Sequence, residues 1–206
     1  MSENITDSFI TLASEAENEI KIKASRFIGM GFPISDVAEA KTILADIRKK
    51  HYTANHHCYA YTAGIENEQF KYSDDGEPNG TAGIPIYRVI TGRNIKNILA
   101  VVVRYFGGTK LGTGGLTRAY SQATMDMLEQ ASLVERLICD RLSFSLPFSL
   151  YDRLMRIINT DKFEIINQEF ADDVSVVLEI RKSKTNKFIE QMTELTGGKI
   201  IIEKES

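Results

Sequence analysis

Asn97–Leu128, NILAVVVRYFGGTKLGTGGLTRAYSQATMDML, reads as a strand, a glycine loop and a helix in immediate succession. Ile98 to Val103 is an unbroken apolar run rich in β-branched residues. It is too short for a helix or a membrane span and has the composition of a strand covered on both faces. Arg104, Tyr105 and Phe106 are expected to leave the core after it, although Arg104, directly following a buried strand, is alternatively a structural ion-pair partner of the Asp74–Glu77 loop. The cluster Gly107, Gly108, Gly112, Gly114 and Gly115 suits a tight turn, and Thr113 or Thr117 is placed to cap the helix that follows. Free N–H groups and the helix dipole would face whatever docks there, with Lys110 and Arg118 adding full charges, so the stretch predicts an anion site. It is not a P-loop: Gly107 and Gly112 have the right separation, but Thr113 and Gly114 stand where Lys and Ser/Thr are required.

Upstream, Glu17–Lys23 alternates charged and apolar residues as a half-buried strand, and Phe27–Ile34 reads as a second, with a hairpin break at Ala24–Arg26. Ser35 or Asp36 is expected to cap a helix through Lys50, with Val37, Ala40, Ile43, Leu44 and Ile47 on its inward face. Asn55–Ala63 is a strand whose alternation puts His57, Tyr59 and Tyr61 on one side and His56, Cys58 and Ala60 on the other. Glu68–Tyr72 pairs with it across a turn at Gly64–Asn67. Ser73–Gly83, acidic and glycine-rich with Pro78, is a loop. Ile84–Gly92 is either a short helix with Pro85 in its first turn or a strand.

Downstream, the pattern changes. Glu135–Pro147 reads as a long strand, Leu150–Asn159 as a helix, and Phe163–Phe170 and Val174–Ile180 as strands. Thr185–Leu195 is a helix stopped by Gly197 and Gly198, and Lys199–Glu203 is a last strand. This βαββαβ order is the ferredoxin-like split βαβ unit. The reading is therefore a two-domain α/β (α+β) chain, with domains at 1–134 and 135–206.

The chain has 206 residues and a formal net charge of −3, which argues against a generally basic nucleic-acid binder. The charge is unevenly placed, however. No acidic residue falls between Glu77 and Asp126, whereas Arg88, Arg93, Lys96, Arg104, Lys110 and Arg118 do, as one patch or as scattered solvated cations. The N-terminus, with Glu3, Asp7, Glu15 and Glu17, carries no apolar run, and no transmembrane stretch follows, so the chain reads as cytoplasmic with no membrane partner. Cys58 and Cys139, far apart in strand-like contexts, are expected to be buried free thiols.

His56, His57, Asp74, Asp75 and Glu77 form the candidate polar site, either as an imidazole meeting the acidic loop or as a satisfied core histidine beside turn-forming acids. Successive strand residues face opposite ways and no Cys-x-x-Cys or His-x-x-x-His pair exists, so no metal is assigned, and no cofactor fingerprint is present. No hydroxyl or thiol has a base close in sequence, so no catalytic residue is assigned. Tyr105, Phe106 and Tyr120 flank the glycine loop. They would stack nucleobases while Arg104, Lys110 and Arg118 meet phosphates, or else pack over the glycines.

The same segments carry a family resemblance. GIPIYRVI at Gly83–Ile90, VVVRYFGGTKLG at Val101–Gly112, YSDDGEPNGTAG at Tyr72–Gly83 and GLTRAY from Gly115 are similar, in this order, to the signature of the YigZ/IMPACT family. The last third resembles the smaller domain of its bacterial members. The resemblance implies a first domain with the ribosomal-protein-type β/α fold of elongation factor G domain four, followed by a ferredoxin-like domain similar to domain five. That pairing points to RNA or the ribosome as partner, and to a possible protein partner in translation control. Eukaryotic relatives regulate translation on the pathway of a starvation-sensing kinase, but through a protein with an additional N-terminal module that this chain lacks, so the kinase role is not carried over. The expected function is a non-catalytic, translation-associated binding protein. The alternative is a small hydrolase or transferase acting on a phosphorylated substrate.

Overall fold

The structure, a computed structural model, describes residues 7–65 and 67–205. Glu3, and Glu66 within the predicted Gly64–Asn67 turn, lie outside the described residues. The chain divides into two units. One is Ile10–Arg136; the other runs from Leu137 onward and takes in the described residues before Ile10. The strand β1 (Ser8–Leu12), which the N-terminal reading does not anticipate, forms a two-stranded sheet with β7 (Leu133–Leu137).

The first unit is built on a five-stranded sheet of β2 (Ala16–Ile22), β3 (Ser25–Pro33), β4 (His56–Ala63), β5 (Gln69–Ser73) and β6 (Ile98–Tyr105), in the order β2-β3-β6-β4-β5. Every pairing is antiparallel, and β6 is central. Its apolar run has no alternation because both faces are covered. Ile98, Ala100 and Val102 enter one core cluster with α2 (Gly83–Gly92) and α3 (Thr113–Gln130). Leu99, Val101 and Val103 enter a second with α1 (Val37–Lys50).

Local chemistry explains the elements. Asp36 caps α1 by accepting the N–H of Glu39 at 2.8 Å, while Glu39 accepts from the Ser35 N–H and hydroxyl at 2.7 and 2.8 Å, a reciprocal capping box. The β2–β3 hairpin turns at Lys23, which has φ +51°. Of the two readings of IPIYRVI, the helix is present, with Pro85 in the first turn, where no intrahelical N–H bond is lost.

In the second unit, β8 (Cys139–Pro147), α4 (Tyr151–Asp161), β9 (Glu164–Phe170), β10 (Asp173–Arg181), α5 (Lys182–Leu195) and β11 (Ile202–Glu205) form the ferredoxin-like unit with sheet order β11-β8-β10-β9. Leu142, Phe144, Val176 and Leu178 meet Leu154, Ile158, Phe188 and Met192 of the helices. The predicted strand 135–147 is two strands, β7 and β8, which belong to different sheets. The last helix begins at Lys182, three residues before the predicted start, and β11 begins later than predicted. Cys58 is buried as expected, but Cys139 is exposed, because it opens β8 at the outward phase of the alternation.

Gly29 and Gly31 let α3 lie close against β3. A Cβ on Gly29 would stand 2.5 Å from the Ala123 carbonyl oxygen, whereas one on Gly92 would meet nothing within 4 Å. Gly29→Ala is therefore expected to lose about 1–3 kcal/mol, as overpacked cores do, and Gly92→Ala to lose none of that packing. Urea unfolding of the two variants checks the contrast.

Candidate functional site

Strand alternation sorts the candidate residues before any side chain is considered. In β6, Arg104 is in phase with Ile98, Ala100 and Val102 and points to the α2/α3 layer, while Tyr105 points to the α1 layer. In β4, His56 is the cross-strand partner of Arg104, and His57 of Val103. His56 and Arg104 thus share one face. His57 and Tyr105 share the other.

Arg104 does not leave the core as predicted: it is 4% exposed. Its Nη1 lies 2.6 Å from Oε1 of Glu77, a side chain equally withdrawn from solvent, and its Nη2 donates to Ser25 Oγ at 3.2 Å. The Tyr120 hydroxyl donates to the same Glu77 oxygen at 2.8 Å. His56 donates from Nδ1 to the Asp75 carbonyl at 2.9 Å and brings Nε2 to 3.8 Å from Glu77. One carboxylate thus gathers groups from β4, β6 and α3. The Nε of Arg104 is buried and makes no hydrogen bond among the described residues.

The other two acids hold the loop in shape. Asp74 accepts from the N–H groups of Gly80, Ala82 and Gly83 at 2.8–2.9 Å, which closes the loop and caps α2 from a distance. Asp75 crosses to the opposite face, where it accepts from the His57 N–H at 2.7 Å and from Arg48 of α1 at 3.0 Å. His57 in turn donates from Nε2 to the His51 carbonyl at 3.1 Å. The acidic loop thus meets His56 and His57 on the two opposite faces that the strand alternation gives them.

The glycine loop begins with a close approach. A Cβ on Gly107 would fall 1.8 Å from the Ala24 carbonyl oxygen, so only glycine fits there. Gly112, with φ +71°, is itself the N-cap of α3, and no side chain caps the first turn. The predicted caps do not act: Thr113 is the first helical residue, and the Thr117 hydroxyl donates back to the Thr113 carbonyl at 3.1 Å. Gly108 and Gly114 are exposed and Gly115 partly so. Together these features open a cleft of about 430 Å³, lined by His56, Arg104, Phe106, Lys110, Gly112 and Thr113, with Glu77 at its wall. Arg118 and Thr117 are exposed on α3 but do not line it.

Of the three aromatic residues, only Phe106 is available at the cleft, 43% exposed with the Arg104 guanidinium 5.3 Å from its ring. Tyr120 is fully buried edge-on to Phe27 at 5.3 Å, so it packs and does not stack on bases. Tyr105 hydrogen-bonds His51 at 3.0 Å and lies under the Arg26 guanidinium at 4.3 Å. Burial raises the pKa of the Tyr120 hydroxyl and of the Cys58 thiol. Both therefore stay protonated. The Cys58 thiol donates to the Asp74 carbonyl at 3.0 Å and has none of the thiolate character a nucleophile needs.

The family model for the Impact N-terminal domain matches residues 23–128, which contain this whole site, and that for a domain of unknown function (DUF1949) matches residues 144–199. The chain belongs to the IMPACT family. It is 37% identical to IMPACT family member YvyE of Bacillus subtilis over 93% of this chain and 88% of that protein. It is 32% identical to IMPACT family member YigZ of Escherichia coli over 87% of this chain and 89% of that protein. Human Protein IMPACT is 30% identical over 48% of this chain and 36% of its own length. A crystal structure described as that of a hypothetical protein superposes with a TM-score of 0.70 at 30% identity, covering 96% of this chain and 97% of the other.

The Arg104–Glu77 pair has a measurable consequence. Glu77→Ala strands a buried guanidinium, and breaking one side of such a pair costs about 3–5 kcal/mol. The double variant Glu77→Leu/Arg104→Met, which removes both charges, is expected to recover most of that loss in chemical denaturation.

Proposed function

We propose that the protein is a non-catalytic, translation-associated binding protein that takes the phosphate backbone of RNA at the cleft before α3. The observation that carries this reading is the meeting, in one cleft, of a helix N-terminus without a side-chain cap, the exposed Lys110 and the buried Arg104, whose Nε has no partner among the described residues. Helix N-termini and free N–H groups favour anions, and cations beside them add charge without imposing a base sequence. The stretch from Pro78 to Met125 holds no carboxylate to oppose them. The resemblance to translation regulators, and the pairing of this unit with a ferredoxin-like one, favour RNA or the ribosome over other polyanions.

An enzyme acting on a small phosphorylated substrate is the second reading, favoured by a cleft volume within the range of small-molecule sites. Its candidate acid–base groups are already engaged. Glu77 is ion-paired, Asp74 caps a helix and Asp75 holds a strand and α1. Steady turnover of a phosphate ester, lost in His56→Ala, would favour it.

Lys110→Ala/Arg118→Ala tests the binding reading without disturbing the buried pair. Each phosphate contact contributes about 0.7–0.9 to the slope of log affinity against log salt. The slope for RNA or ribosome binding is expected to shrink by about one to two units while the fold is retained. An unchanged slope and affinity would place the binding face elsewhere.

A further inference from the structure

The edge strand of the first unit carries a second surface that the cleft does not use. β5 ends the sheet order, so it has a strand neighbour on one side only among the described residues. Its alternation turns Phe70 and Tyr72 to the α2 side, and they remain 57% and 42% exposed. Tyr87 of α2 lies between them, 5.2 Å from the Phe70 ring with 30° between planes and 5.8 Å from Tyr72 with 42°. Single exposed aromatics are ordinary, but two exposed rings that each contact the half-buried Tyr87 on an open edge form a continuous strip.

The charge beside this strip has one sign. Lys71, between the two β5 aromatics on the other face of the strand, and Arg88, which follows Tyr87, are exposed and form no ion pair among the described residues. The described carboxylates nearby are all engaged: Glu68 with Lys96 at 2.9 Å, Asp74 with three backbone N–H groups, Asp75 with Arg48 and Glu77 with Arg104.

We propose that Phe70, Tyr72 and Tyr87 are a stacking platform for the unpaired bases of single-stranded RNA, with Lys71 and Arg88 meeting its phosphates. This rests on the RNA reading of the cleft and names the form of RNA. Aromatic faces accept any base, and adjacent cations track the backbone, which is how non-specific single-strand sites are built. An added polypeptide strand would use the β5 edge but would give Arg88 on α2 no role. The platform is also near the cleft along the chain. Glu77 at the cleft wall is five residues after Tyr72, a span of at most about 18 Å, so one RNA strand can occupy both.

The test uses the full chain, a labelled oligouridine of about 12 nucleotides, within known single-strand site sizes, and a blunt RNA duplex, with fluorescence anisotropy over a salt series. Phe70→Ala/Tyr72→Ala is expected to weaken oligouridine binding at least about tenfold, with duplex binding and the salt slope unchanged. Phe70→Tyr/Tyr72→Phe, which keeps both rings, is expected to restore it. Equal weakening on both probes, or none, overturns the platform. Lys110→Ala/Arg118→Ala in parallel separates the two readings: a normal slope there with the aromatic effect intact removes the cleft reading alone. Wild-type protein that binds neither RNA removes both. Ultraviolet cross-linking of wild-type protein to oligouridine is expected to mark peptides containing 69–73 or 87–88; marks confined to other segments overturn the platform whatever the variants do. A changed sedimentation rate of Phe70→Ala/Tyr72→Ala without RNA would assign the edge to contact between copies and overturn it equally.

Discussion

The first unit depends on one buried ion pair, Arg104 with Glu77. A guanidinium at the end of the central strand lies by the rings of Phe27 and Phe106, and a carboxylate delivered from the acidic loop compensates the burial of its charge. Delivery of that carboxylate fixes much else. The loop must fold back across β4, so Asp74 is recruited to close it and Asp75 to anchor it. Tyr120 must present its hydroxyl from α3, so α3 must lie close to β3, which Gly29 and Gly31 permit.

This pair also shapes what the cleft can do. The carboxylates that sequence inspection offers as acids and bases are spent on geometry, and the thiol and phenol nearby are held protonated by burial. What lines the cleft beside a helix terminus and glycine backbone is Lys110, Phe106 and the half-buried His56. Buried charge supports the cleft from behind, and the exposed Lys110 lines it.

The two surfaces of the first unit complement each other chemically. The cleft offers N–H groups and cations without aromatic breadth, since Tyr105 and Tyr120 turn inward. The β5 edge offers aromatic breadth with free cations but no helix terminus. Both lie on the α2/α3 side of one sheet, and the acidic loop links them with its carboxylates already neutralised.

Much of this was legible in the chain because it follows from short-range periodicity. The unalternating Ile98–Val103 run marked a central strand, Ser35 or Asp36 marked a helix start, and βαββαβ order with glycine stops marked the ferredoxin-like unit. The segments that make the cleft were also legible, as glycines and cations before a helix. Pairing across the sheet was not. Arg104 read either as an exposed phosphate contact after a core strand or as an ion-pair partner of the Asp74–Glu77 loop, and nothing local to it says which, or that Glu77, 27 positions earlier, is the acid that buries it. Tyr120 read either as a base-stacking ring or as a packing one, and the choice was settled by Phe27 and Glu77 meeting it from elsewhere in the chain. The split of residues 133–147 into β7 and β8 depended on which sheet each half joined. Phe70, Tyr72 and Tyr87 become one strip only when α2 folds over the β5 edge. The sequence by itself determined most of the elements and the inward phase of each of those, because backbone geometry repeats every two residues in a strand and every 3.6 in a helix. Only the tertiary structure decided which charges and rings are free, because desolvation and ion pairing depend on neighbours that the fold, and not the chain order, places within reach.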